Sequence, residues 1–292
     1  MNIFLQHIVQ GTTLGATYAL VALGFSMQYS AMNLLNFAHG ESFMLGAFVA
    51  LVLASSGMSL PVAFIGSLVI LGIFGAILER VAIRPLYGKT ELNLFVATIG
   101  LSILLRQAGL LLFGSDAVPF PEGFGTSLIV QGTVRITGQQ VGTIISSIII
   151  MIGLNLLLKR TKIGIAMRAV AQDDSTAALM GINVHLIKTF VYAVSTSVGA
   201  AAGILFASLT FTVYDMGLLM GIKGFTAAVV GGLGSLPGAV LGGLLLGLVE
   251  QLSAGFISSL YRDAISLSIL ILVLLVLPTG ILGRRGSKWG KV

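Results

Sequence analysis

Residues 33–43, NLLNFAHGESF, place Asn33, Asn36, His39, Gly40 and Glu41 between two long apolar runs. A carboxylate, an imidazole and two amides at such a point mark either a junction between spans or a functional break inside one. The surrounding composition decides that the runs are spans. Of 292 residues, 56% are hydrophobic and 9% charged, and the mean hydropathy is +1.04. A soluble domain carries about 25% charged residues, so the chain reads as an integral membrane protein with no separate soluble domain.

Runs near the roughly 20 residues that cross a bilayer as helix fall at about 8–29, 40–56, 61–79, 92–113, 141–158, 186–212, 237–256 and 262–282. The Gly-rich stretch 217–235 is a ninth candidate. The expected fold is an all-α polytopic membrane protein with about eight transmembrane helices, in a range of seven to nine, forming one domain over 1–292. In lipid every backbone polar group needs an internal partner, so any Gly-rich broken or re-entrant segment must be shielded by protein. The first run lacks a basic leader and a small-residue cleavage site behind it, and is expected to be a retained span. Glycines four apart at 11 and 15, 199 and 203, 238 and 242, and 243 and 247 predict close helix packing.

Lys and Arg set the expected orientation. Arg80, Arg84 and Lys89 in 79–91, Lys159, Arg160, Lys162 and Arg168 in 159–168, and the tail GRRGSKWGKV should face the cytoplasm, C-terminus included. The segment 114–140, with one Arg, two acids, two Pro and five Gly, belongs outside. The formal charge of +6 sits in these loop clusters, which argues against nucleic acid as a partner and for the lipid bilayer. The side of the N-terminus depends on whether 30–40 and 217–238 span or re-enter.

Catalytic and metal chemistry find little support. With no Cys, thiol catalysis and iron–sulfur clusters are excluded, and His7, His39 and His185 have no metal-ligand partner at helical spacing. IRPLYGKT (83–90) ends like a phosphate-binding loop, but Ile83 stands where a glycine is required and Pro85 lacks an amide hydrogen. No catalytic and no metal residue is assigned. Glu250 and Arg106 are read as interfacial, near the ends of their spans, and Glu79 and Arg80 as a structural boundary pair.

Two features remain for transport. Ala166 to Leu179 forms an amphipathic helix ending at Gly181, and its Asp173-Asp174 pair favours a soluble partner over anionic headgroups. Two breaks, 33–42 and 231–238 (GGLGSLPG, with Pro237), interrupt apolar runs in different halves, roughly 1–135 and 136–292, which raises a possible inverted repeat and a substrate path at mid-membrane. Candidates to line that path are Asn36, His39, Gly40, Glu41, Gly232, Gly234 and Ser235. Asn36 has the equal alternative of capping a helix.

GIAMRAVAQDDSTAALMGINV (164–184) resembles the cytoplasmic coupling segment of bacterial ABC-importer permeases, with Ala177-Ala178 and Gly181 in the Ala-Ala-x-x-Gly positions. LLNFAHGESFMLGA (34–47) and FTAAVVGGLGSLPGAVLGGLLLGLVE (225–250) are similar to two further signatures of the LivH-type permeases for branched-chain amino acids. The likeness covers nearly the whole chain. It implies a bacterial inner-membrane permease paired with a LivM-type permease, two cytoplasmic ATPase subunits that bind the ATP and Mg, and a periplasmic amino-acid-binding protein that delivers leucine, isoleucine or valine. This chain would need no cofactor. Arg168, Gln172, Asp173, Asp174, Ala178 and Gly181, within a coupling segment of 159–185, would contact the ATPase. Related urea and short-chain amide importers are the alternative, and an ion-coupled secondary transporter or a structural subunit of a membrane enzyme are the competing classes.

Overall fold

The protein is described here as a computed structural model covering residues 2–121, 128–130, 135–277 and 279–283. Its helices are α1 (Asn2–Met32), α2 (His39–Ser55), α3 (Leu60–Leu78), α4 (Glu91–Phe113), α5 (Gly138–Arg160), α6 (Lys162–Gln172), α7 (Asp174–Leu179), α8 (Val184–Ala207), α9 (Met216–Gly231), α10 (Leu236–Phe256) and α11 (Arg262–Val276). Beyond Leu78, α3 runs on as a π-helical turn (Glu79–Ile83) and a 3-10 turn (Arg84–Leu86). Two short antiparallel pairs, β1 (Val118–Pro119) with β4 (Phe211–Thr212) and β2 (Leu128–Val130) with β3 (Ile136–Thr137), tie the loops of one end.

Among the described residues, seven helices are long and apolar enough to cross a membrane. The apolar helices α2 and α9 are shorter, at 17 and 16 residues. Both are buried along most of their length and lie against α1 and α8 or α10, which shields the broken backbone at their ends as lipid requires. All four glycine pairs lie at helix crossings. On α1, Gly11 and Gly15 face Leu248 and Leu244 of α10, where an added Cβ would stand 2.9 Å from each Cα. Gly243 and Gly247 return the fit against Ala19 and Gly15, making α1 and α10 the most extensively packed pair. Gly199 and Gly203 of α8 admit Ser42 and Phe43 of α2, and Gly238 and Gly242 of α10 admit the end of α9.

The ends of the bundle separate by charge, as the loop pattern predicts. Arg84 donates to Thr189 Oγ1 at 2.7 Å, so the basic loop 79–90 lies beside the start of α8, next to the equally basic 159–188 segment. The chain after α11 returns to this end, where Ile281 N and Leu282 N donate to Val230 O and Gly231 O at 2.9 Å. The basic tail 284–292 lies outside the described residues. At the opposite end, Gln6 exchanges hydrogen bonds with the backbone of Arg135, and Phe4 meets Phe256. The N-terminus therefore lies at the end away from the basic loops.

Candidate functional site

The helix expected over 166–179 in the candidate coupling segment is two helices rather than one. Thr161 caps α6, accepting from Gly164 N at 3.0 Å, and Asp173 (φ −161°) interrupts the helix expected to run from 166 to 179. Asp173 Oδ1 accepts from Thr176 N at 2.7 Å and Ser175 Oγ at 2.6 Å, so the acid starts α7 as its N-cap. Asp and Ser side chains compete with helical backbone bonding in this way, and the break follows from DDST at 173–176. The Ser175 hydroxyl and then the Thr176 amide hold the Asp173 carboxyl below the usual carboxylate range. α7 ends as expected at Gly181, whose φ of +82° favours glycine.

Two of the expected contact residues are exposed but already hold partners within the chain. Arg168 donates Nη1 to Leu158 O at 2.6 Å, closing the last turn of α5, and Asp174 pairs with Lys188 of α8. The segment also presents Gln172, Asp173, Ala178 and Gly181 outward, with Leu179 and Met180 at 88% and 79% exposure.

Behind α7 lies a hub that the boundary reading of Glu79 missed. Its fully buried carboxylate accepts from Arg84 Nη2 at 3.1 Å and Tyr87 OH at 2.9 Å, and meets Thr189 Oγ1 of α8 at 2.7 Å. Burial, then the Glu79 charge, pushes the Tyr87 hydroxyl up, so it stays protonated and able to donate. Lys188, the partner of Asp174, stands 4.9 Å from the Tyr87 ring centroid. Coupling segment, α8 and the end of α3 are thus joined through paired polar groups, at a π-helical turn of the kind frequent at functional sites.

The opening stretch reaches half-way into the bundle. His39, the first residue of α2, stacks edge-on with Phe25 and lies 3.4 Å from Ser195 Oγ, the midpoint of the 24-residue α8. Asn36 spans the break: its Nδ2 donates to Gln28 Oε1 at 2.9 Å and Tyr192 OH at 2.8 Å, and its Oδ1 accepts from Ala38 N at 3.1 Å. Gly40 crosses Gly217 and Gly221 of α9 so closely that a Cβ would strike backbone. Glu41 accepts from Ser102 Oγ at 2.7 Å and faces Arg106 Nε at 3.7 Å. Arg106 is therefore the ion partner of a buried acid, not an interfacial snorkeller as read from its position. The cavity beside Asn36 and His39 has a volume of about 10 Å³, room for a single water.

The second break does not join the first. Gly232 (φ +108°) and Gly234 (φ +79°) end α9, and Ser235 caps α10, accepting from Gly238 N at 3.3 Å. Gly234 lies against Tyr29 and Ser30 near the end of α1. Gly232, Gly234 and Ser235 thus sit at the basic end instead of mid-membrane, because α9 starts beside Glu41 and its 16 residues carry it to that end. The expectation of two breaks at matching depth is corrected accordingly.

A further polar cluster gathers around a buried acid among α1, α9, α10 and α11. Glu250 is 1% exposed and accepts from Lys223 Nζ at 2.7 Å, Tyr18 OH at 3.1 Å, Ser266 Oγ at 3.2 Å and Arg262 Nε. Lys223 also reaches Asp263 Oδ1 at 2.7 Å. The interfacial reading of Glu250 fails because its helix is covered at that depth by α9 and α11. The signal was Lys223, a lone ammonium in an apolar helix, which demands a buried acid.

Membrane-length helices around short, shielded ones, with buried acids paired inside, define a polytopic all-α membrane protein. Its sequence matches the family described as branched-chain amino acid transport system, permease component, over residues 7–274, and the chain belongs to that family. It is 38% identical to the high-affinity branched-chain amino acid transport system permease protein LivH of Salmonella typhimurium and to that of Escherichia coli K12, and 40% identical to the corresponding protein BraD of Pseudomonas aeruginosa. Each alignment covers 96% of this chain and 96% of the relative.

Proposed function

We propose that this chain is one permease subunit of an ATP-driven importer that carries leucine, isoleucine and valine across a bacterial inner membrane. The end-to-end similarity to LivH and BraD carries the reading. On this reading a LivM-type permease, two ATPase subunits holding ATP and Mg, and a periplasmic amino-acid-binding protein complete the transporter, and this chain carries no cofactor. The basic end, C-terminus included, is cytoplasmic.

Leu179, Met180, Ala178 and Gln172 offer the ATPase an apolar knob with a polar edge. Movement of that knob passes through Asp174–Lys188 and Thr189–Glu79 into α8 and α3, so Asp174 acts as a positioning residue and Arg168 as the clamp to α5. Rigid shifts of packed helices are the usual form of alternating access. The protomer interior beside Asn36 and His39 holds space for one water only, which supports a route formed with the second permease. Asn36, His39, Gly40 and Glu41 then keep the re-entrant backbone in shape, while Gly232, Gly234 and Ser235 form the joint beneath α6.

The test is uptake into proteoliposomes containing the complete system, with leucine as tracer and isoleucine, valine, urea and acetamide as competitors. Uptake that needs ATP and is displaced by isoleucine and valine supports the proposal. Displacement by urea or acetamide alone assigns an amide importer, and uptake that follows an ion gradient without ATP overturns the class.

A further inference from the structure

A cavity of about 170 Å³ opens at the basic end, between the last turns of α1, the end of α5, α6 and the start of α10. Met27, Met167 and Leu236 give it a largely hydrocarbon wall, and Lys159 and Arg168 stand at its rim. Deep in the wall, Ser26 is fully buried and its hydroxyl has no partner among the described residues. An apolar cavity of about 150 Å³ takes up benzene, so this one accepts a four- or five-carbon chain. Among the described residues no carboxylate lines it, and the N-terminal turn of α10 adds its own preference for an anion.

We propose that this cavity is a regulatory binding site for a small aliphatic carboxylate, of which the free branched-chain amino acid on the coupling side is the physiological member. The identity of that ligand rests on the transport reading above; the cavity and its chemistry do not. The aliphatic chain lies against Met27 and Leu236, and the carboxylate faces Lys159 and Arg168. Because α6 forms one wall, an occupant ties the coupling segment to α1 and α10, and binding and coupling-segment movement must oppose each other to the same degree. Accumulated product would thereby slow the transporter.

The experiment uses the complete transporter in phosphatidylcholine liposomes, with loaded binding protein on one side and leucine added on the coupling side. ATP hydrolysis should fall several-fold with leucine in the native protein. In Ser30→Leu and Asn155→Leu, which fill the cavity from α1 and α5, it should no longer respond, at an unchanged leucine-free rate. Equilibrium dialysis of labelled leucine against the complex without binding protein should show a site that both variants lose. The proposal is overturned if hydrolysis ignores leucine, or if both variants are inhibited as the native protein is. Should phosphatidylglycerol, and not leucine, produce the effect, the occupant is a lipid and the amino-acid assignment fails. If leucine binding is lost in the variants but no leucine is imported, the site stands and the transport reading fails.

Discussion

Two sets of helices in this protein show opposite relations between burial and apolar character. Of the membrane-length windows, those in α1 and α8 are 78% and 72% buried, whereas those in α4 and the α11 region are 17% and 11% buried. Yet α1 and α8 are rich in Gly, Ala, Ser and Thr, while α3, α5 and α11 expose Ile and Leu along their outer faces. In water the order would be reversed. In lipid, hydrocarbon gains little by leaving one apolar medium for another, so the inner helices are chosen for close approach and for polar pairing.

That contrast can be broken most severely at Glu250. In Glu250→Gln, Lys223 and Arg262 lose their shared carboxylate while Lys223 keeps Asp263, and a loss of about 1.5–3 kcal/mol is expected, seen as a fall in thermal stability in detergent. An unchanged transition would show that water reaches the cluster. Next comes the seam between α1 and α10. A leucine side chain at position 15 (Gly15→Leu) has no space against Leu244 and Gly243, and overpacking should cost about 1–3 kcal/mol or separate the helices altogether, as thermal unfolding would record. Tyr192→Phe removes one of two acceptors of Asn36 and should cost about 0.5–1.5 kcal/mol, with faster hydrogen exchange over 33–38 as the local sign.

The smallest effects belong to the periphery and to the surface. Ile148→Ala on the exposed face of α5 should change stability by less than about 0.5 kcal/mol; an effect as large as that of Gly15→Leu would mean that this face is covered by protein. At Asp173 the cap is strongest above the ordinary carboxylate range, because its folded carboxyl is held low. It is lost as pH falls through that lowered value. Protease cleavage at 174–179 should therefore rise in acid in the native protein, while Asp173→Asn, which keeps an acceptor, should remove the pH dependence.

Much of this architecture was legible in the amino-acid order. Run lengths marked the spans, and Gly and Pro at 231–238 marked a real break. The loop cations placed 79–91 and 159–168 at one end, and the glycine spacings marked real crossings. Pairings between distant helices were not legible. Glu79 and Glu250 looked peripheral because each lies toward one end of a run, and only the covering helices bury them. Asp173 and Asp174 looked alike, yet one caps α7 and the other is spent on Lys188.

Sequence by itself determined the membrane environment, most of the spans, the break at 231–238 and the family, because each depends on local composition or on residues close along the chain. Tertiary structure alone decided that 33–38 re-enters to half depth while 232–235 stays at the basic end, and that four polar groups converge on Glu250. The reason is physical: hydropathy cannot distinguish a lipid neighbour from a protein one, so burial in a membrane is settled only by which helices meet.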